Sequence, residues 1–88
     1  MTKDKIHKLL SEKLQPDFLE VIDDSAKHVG HSEAKNSAGG HFAVKVVSKI
    51  FEGKNLVMRH RLIYQSLEEI KSEIHALAIK ALTPEEFK

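Results

Sequence analysis

The chain contains no cysteine, so it cannot assemble a disulfide, a thiol nucleophile or a Cys-ligated zinc or iron–sulfur site alone. Metal chemistry must run through imidazole or borrow thiolates from a partner. No apolar run approaches the roughly 20 residues of a membrane helix. At the N-terminus Lys3, Lys5 and Lys8 alternate with Asp4, Ile6 and His7 instead of opening on an apolar core. The expectation is therefore a cytoplasmic protein with no membrane partner. Net charge is also small: 14 Lys and Arg against 13 Asp and Glu give +1, short of the excess that marks a dedicated nucleic-acid binder. There is no internal repeat, no low-complexity tract and no visible nucleophile–base–acid set, so an enzyme is the least supported class.

What is present is a balanced composition, 41% hydrophobic and 31% charged over 88 residues, which fits one folded domain spanning 1–88. Charge is uneven along it. Asp17, Glu20, Asp23 and Asp24 are acidic, while Lys45, Lys49, Lys54, Arg59 and Arg61 make the middle basic. Histidine is plentiful: His7, His28, His31, His41, His60 and His75.

Ile6, Leu9, Leu10 and Leu14 recur at helical spacing and predict an amphipathic helix over Lys3–Leu14. Pro16 ends it, because proline disfavours helical geometry in the residue before it. Phe18–Asp23 reads as a strand. The polar stretch Ser25–Gly40 is a long connection for so small a domain, and it carries His28 and His31; long loops are where function concentrates, although the residues alone favour a hairpin connection with incidental histidines. His41–Ser48 alternates as a strand. A short turn or helical piece at Lys49–Gly53 precedes the longest helix, Lys54 to about Lys71. Ile74–Ala81 is a third strand. Thr83-Pro84 then opens a short helix as N-cap and first helical residue. The predicted fold is α+β, in the order α-β-β-α-α-β-α, with an antiparallel first strand pair, a third strand returning through a helical crossover, and helices packed on one face of the sheet.

On a wheel of the long helix, Leu56, His60, Ile63, Leu67 and Ile70 share one stripe with Tyr64 at its edge. His60 thus reads as a partly buried core histidine rather than a ligand. Arg59 and Arg61 flank the stripe roughly 160° apart, each suited to a carboxylate or phosphate at its own edge. Met58 and Leu62 fall on the opposite face, either a partner surface or a scattered exposed pair. Gly53-Lys54-Asn55 suggests a helix-turn-helix, in which Lys54 near a helix N-terminus could meet phosphate. His75 stands at the start of the third strand, as a ligand or as a strand-end histidine satisfied by backbone.

The segment Phe51-Glu52-Gly53 followed by Arg59-His60-Arg61-Leu62-Ile63-Tyr64 resembles the signature of the BolA-like family. The resemblance runs from about Leu10 to Thr83-Pro84-Glu85, and takes in Phe18-Leu19-Glu20-Val21, Asp23-Asp24-Ser25, His41-Phe42 and His75-Ala76-Leu77-Ala78. It implies a fold related to the class II KH domain, although the glycine-x-x-glycine loop that clamps nucleic acid there is missing. It also implies a [2Fe–2S] cluster shared with a monothiol glutaredoxin, His75 being one ligand. The second would come from the connection between the first two strands, as histidine in the subgroup that this cysteine-free chain resembles: His28 by spacing, or His31 as the alternative. The glutaredoxin cysteine and a glutathione thiol would complete the set, so the isolated chain is expected to hold no cofactor and to be a monomer or weak dimer. Such ligands must be neutral, and retention is expected to weaken below about pH 6.5. The alternative implied function is a DNA-binding transcriptional regulator acting through the helix-turn-helix around residues 49–70, with Lys54, Arg59, Arg61, Met58 and Leu62 as the contact set for nucleic acid or partner.

Overall fold

The computed structural model describes residues 1–24 and 40–88. Helix α1 spans Thr2–Leu14, strands β1 and β2 span Phe18–Asp23 and His41–Val47, helix α2 spans Leu56–Ser66, strand β3 spans Ala76–Leu82 and helix α3 spans Pro84–Phe87. One-turn and two-turn 3₁₀ segments, Lys49–Phe51 and Glu68–Glu73, flank α2. The sheet order is β1-β2-β3. β1 pairs antiparallel with β2, from Phe18 opposite Val47 to Asp23 opposite Phe42. β3 pairs parallel with β2, from His41 opposite Ala76 to Val47 opposite Leu82. The expected α+β order and the helical crossover are both present, and β1 has the predicted bounds. Among the described residues no helix is long and apolar enough to cross a membrane.

The two-residue period sorts the strands into faces. Val21, Phe42, Val44, Val46 and Ala81 are buried with Leu19, Leu77 and Ile79 packed against them, and α1 adds Ile6, Leu9, Leu10 and Leu14 from the same side. Phe51, Ile63, Leu67 and Ile70 complete this core. The opposite face carries Phe18, Glu20 and Ile22, all exposed. There the ring of Phe87 from α3 stacks on Phe18 at 5.2 Å, with the Lys45 ammonium 5.0 Å from the Phe87 centroid.

Local chemistry sets the ends of the elements. Gln15 closes α1 in the left-handed conformation, φ 45°, its N–H donating to the Ser11 carbonyl; Pro16 has removed the right-handed alternative. Ser48 is buried where α1 and β2 end together: its hydroxyl donates to the Leu14 carbonyl at 2.7 Å and accepts from the Ile50 N–H. Thr83 caps α3 in a capping box, accepting from the Glu86 N–H while the Glu86 carboxylate accepts from the Thr83 N–H.

The long helix is shorter than its periodicity predicts. It stops at Ser66, whose hydroxyl donates back to the Leu62 carbonyl at 2.8 Å, a local bond that competes with helix continuation. The chain then winds as 3₁₀ with a break at Ile70, φ −121°. This changes which residues face inward. A straight helix to Lys71 puts Leu67 and Ile70 in line with Leu56 and His60; with the tighter winding they reach the core from a different direction. The buried side of α2 is Arg59, Ile63 and Ser66. Leu56 is exposed, His60 is half-buried and Leu62 packs against the core.

Candidate functional site

Strands β1 and β2 end side by side at the corner where the 25–39 stretch leaves and returns. The Asp24 N–H donates to the His41 carbonyl at 2.7 Å, extending the ladder by one rung. One residue earlier in β2's approach, the Gly40 carbonyl accepts two bonds, from the N–H of His75 at 2.7 Å and of Ala76 at 2.8 Å. That double bond to one carbonyl fixes the backbone of His75 as β3 begins. Gly40 has φ +84°, and a Cβ there would lie 2.9 Å from both the Cβ and the backbone nitrogen of His75. Only glycine meets both demands, the positive φ and the close approach.

The His75 side chain is exposed at this corner. Its ring centroid is 5.1 Å from that of His41, tilted by 51°. His41 is half-buried and lies opposite Ala76 in the register. Asp24, His41, Phe42, Ala76, Leu77 and Ala78 line a shallow depression of about 350 Å³ beside it. Two imidazoles therefore meet here, His75 and His41, the second of which is not in the ligand set that the resemblance implies. Among the described residues no three or more His, Asp or Glu groups surround a common point. His28 and His31 lie outside the described residues.

The other expected contact residues separate into two groups. Arg59 is only 8% exposed, and every nitrogen of its guanidinium donates a hydrogen bond. Nε donates to the Lys54 carbonyl at 2.8 Å, Nη1 to the Ala81 carbonyl at 3.1 Å and to Glu86 Oε1 at 2.7 Å, and Nη2 to Glu86 Oε2 at 3.2 Å. The expectation that Arg59 contacts nucleic acid or a partner is corrected: it is an internal tie joining α2, β3 and α3. Leu62 is corrected likewise, since it packs against the core. Arg61 and Met58 are exposed on α2, and the Lys54 ammonium donates to the Ile50 carbonyl at 2.9 Å across the turn at Gly53. The bidentate arginine, helped by the Thr83 N–H, holds the Glu86 carboxyl down to about 2.

Two residues of the corner, Gly40 and His41, are not among the sequence-predicted site residues. Gly40 was legible only as half of Gly39-Gly40 before a strand, a weak sign of close backbone approach. His41 fits the strand pattern of β2; its meeting with His75 depends on the parallel register, which no local pattern encodes.

Residues 10–86 match the BolA-like protein family. The chain belongs to that family. It is 43% identical over 89 residues to the DNA-binding transcriptional regulator BolA of Vibrio cholerae, covering all of this chain and 80% of that protein. It is 48% identical over 87 residues to SufE-like protein 1, chloroplastic/mitochondrial, of Arabidopsis thaliana, covering 93% of this chain. The match spans only 24% of that protein, and only 53% of Protein BOLA1, chloroplastic, of the same plant. Among solved structures, the BolA domain of SufE1 from Arabidopsis thaliana superposes with a TM-score of 0.82 at 45% identity, covering 97% of this chain and 94% of that one.

Proposed function

We propose that this BolA-like chain is an adaptor that binds a monothiol glutaredoxin and shares a [2Fe–2S] cluster with it, in iron–sulfur cluster assembly, trafficking or iron regulation. The observation that supports this most is the exposed imidazole of His75, its backbone clamped by Gly40 at the corner from which the His28- and His31-bearing stretch departs. An exposed, positioned imidazole suits a group finished by a second protein. His75 and His28, or His31 in its place, would be this chain's ligands. Cysteine from the glutaredoxin and the thiol of glutathione would be the others. Imidazole in place of thiolate would leave the cluster less negative and raise its potential. His41 would orient His75 by ring contact.

The test is coexpression with a monothiol glutaredoxin, with glutathione and iron supplied, read by visible absorption. Wild type should yield a coloured heterocomplex, His75→Ala should lose the colour, and one of His28→Ala and His31→Ala should alter the spectrum. A spectrum and complex untouched by all three would sink the ligand assignment.

A second reading is DNA binding, favoured by the Vibrio cholerae relative, a DNA-binding transcriptional regulator, and by the 3₁₀ turn, Gly53 and α2 in succession. With Arg59 withdrawn, Lys49, Lys54 and Arg61 are the cations that remain on this element. That reading requires duplex binding that falls steeply with salt and is lost on Arg61→Ala. No detectable binding at low salt would dismiss it. The near-zero net charge places it second.

A further inference from the structure

Exposed apolar surface is concentrated along the outward side of α2, which begins at the end of the sheet away from His75. Five of the nine exposed large hydrophobic side chains among the described residues are Ile50, Leu56, Val57, Met58 and Tyr64, with Leu56 61% and Val57 65% exposed. Val57, Arg61 and Tyr64 recur at i, i+4 and i+7 on the outward side of α2, opposite the buried Arg59, Ile63 and Ser66. Monomeric surfaces scatter such residues singly, whereas here five fall between residues 50 and 64. The charge around it has one sign. From Lys49 to Ser66 the chain carries Lys49, Lys54, Arg59 and Arg61 against Glu52 alone. Arg59 is consumed internally by Glu86, whereas Lys49 and Arg61 make no ion pair among the described residues.

We propose that this surface docks an acidic amphipathic helix of a partner protein, and does so without obstructing the His75 corner. Val57 and Tyr64, with Arg61 between them, call for apolar ridges bearing an acidic group, and a convex helix receives them best from another helix. The flanking cations select acidic neighbours. A second copy meeting it across a two-fold axis would set Arg61 and Lys54 against their own equivalents, which electrostatics opposes. Duplex DNA would leave Leu56 and Val57 facing phosphates. The two ends of the sheet are well separated. The first turn of α2 sits at the Val47–Leu82 end, where the Ser48 N–H donates to the Leu82 carbonyl and Arg59 reaches Ala81. His75 sits at the His41–Ala76 end, and the seven residues of β2 span about 20 Å between them. The inference goes beyond the cluster reading and does not depend on it.

The test is an NMR titration of the full chain labelled with ¹⁵N. The probe is a synthetic helical peptide with a leucine stripe flanked by glutamates. Its counterparts are the same peptide with lysine for glutamate, a DNA duplex, and phosphatidylglycerol vesicles. The acidic peptide should shift resonances of residues 50–64, with affinity reduced about tenfold by Val57→Glu and again by Arg61→Glu. His75→Ala should leave its affinity unchanged. Both substituted side chains are exposed, and the spectrum of each variant reports its fold directly. No response to the acidic peptide, an equal response to the lysine peptide, tighter binding of duplex or vesicles, or loss of peptide binding in His75→Ala would each overturn the proposal.

Discussion

Replacing Arg59 with alanine removes four hydrogen bonds and leaves the Ala81 and Lys54 carbonyls without their donor. Loss of a buried, hydrogen-bonded side chain of this kind costs roughly 2–3 kcal/mol, measurable as a shift of the urea midpoint at constant slope. Lysine there should recover little, since it cannot reproduce the bidentate fork. The acceptor has its own signature. Glu86 is held at about 2 in the fold against an ordinary value of 4.5, so between those limits the unfolded chain binds more protons than the folded one. Its stabilisation is present above about pH 4.5 and is lost as pH falls towards 2. Acid unfolding of Glu86→Gln should show a flatter pH dependence in that window than wild type. Glu73, lowered by bonds from Thr2 and Lys5, acts in the same direction and will leave some slope behind. None of this was legible locally. Whether an arginine in a helix faces water or the interior is decided here by a carboxylate 27 residues further on, and helical periodicity contains no trace of it.

Gly40 and Gly53 make a controlled pair among the elements. Both have positive φ, +84° and +76°, but a Cβ at Gly53 meets nothing within 4 Å, while at Gly40 it meets His75 and Glu73. Gly53→Ala should therefore cost only the conformational penalty, roughly 1–2 kcal/mol. Gly40→Ala should cost distinctly more and displace His75. Thermal melts of the two variants, with the His75 ring resonances as a local reporter, check the difference. Gln15 offers the converse. It adopts the left-handed conformation that glycine accepts freely, so Gln15→Gly should raise stability by roughly 0.5–1 kcal/mol in denaturant titration. The elements that sequence located well, α1 and β1 to β3, each carry a strong period or a sharp chemical boundary such as Pro16 or the Thr83 capping box. The end of α2 was missed because Glu68-Glu69-Ile70-Lys71 is sound helical sequence. The 3₁₀ winding there follows from the Ser66 back-bond and from bringing Leu67 and Ile70 into the core.

Over the whole molecule, the α+β order and sheet topology followed from patterning, while the candidate site followed from family signature and from the absence of cysteine. What patterning could not supply was the meeting of residues distant in the chain: Gly40 on His75, His41 beside it, and Arg59 on Glu86. The described residues expose different chemistry at the two ends of the sheet. One presents His75 and His41 where the 25–39 stretch begins and ends; the other presents the apolar, cationic first turns of α2. Arg59, tied to α3 and β3, holds the second end together without facing it. The central claim, that the His75 end holds a cluster jointly with a partner's thiolates, is tested most directly by the visible circular dichroism of the chain coexpressed with a monothiol glutaredoxin. Val57→Glu serves as the control that leaves this end intact. The account predicts a cluster spectrum in wild type and Val57→Glu, and its disappearance in His75→Ala. An unchanged spectrum in His75→Ala would contradict it.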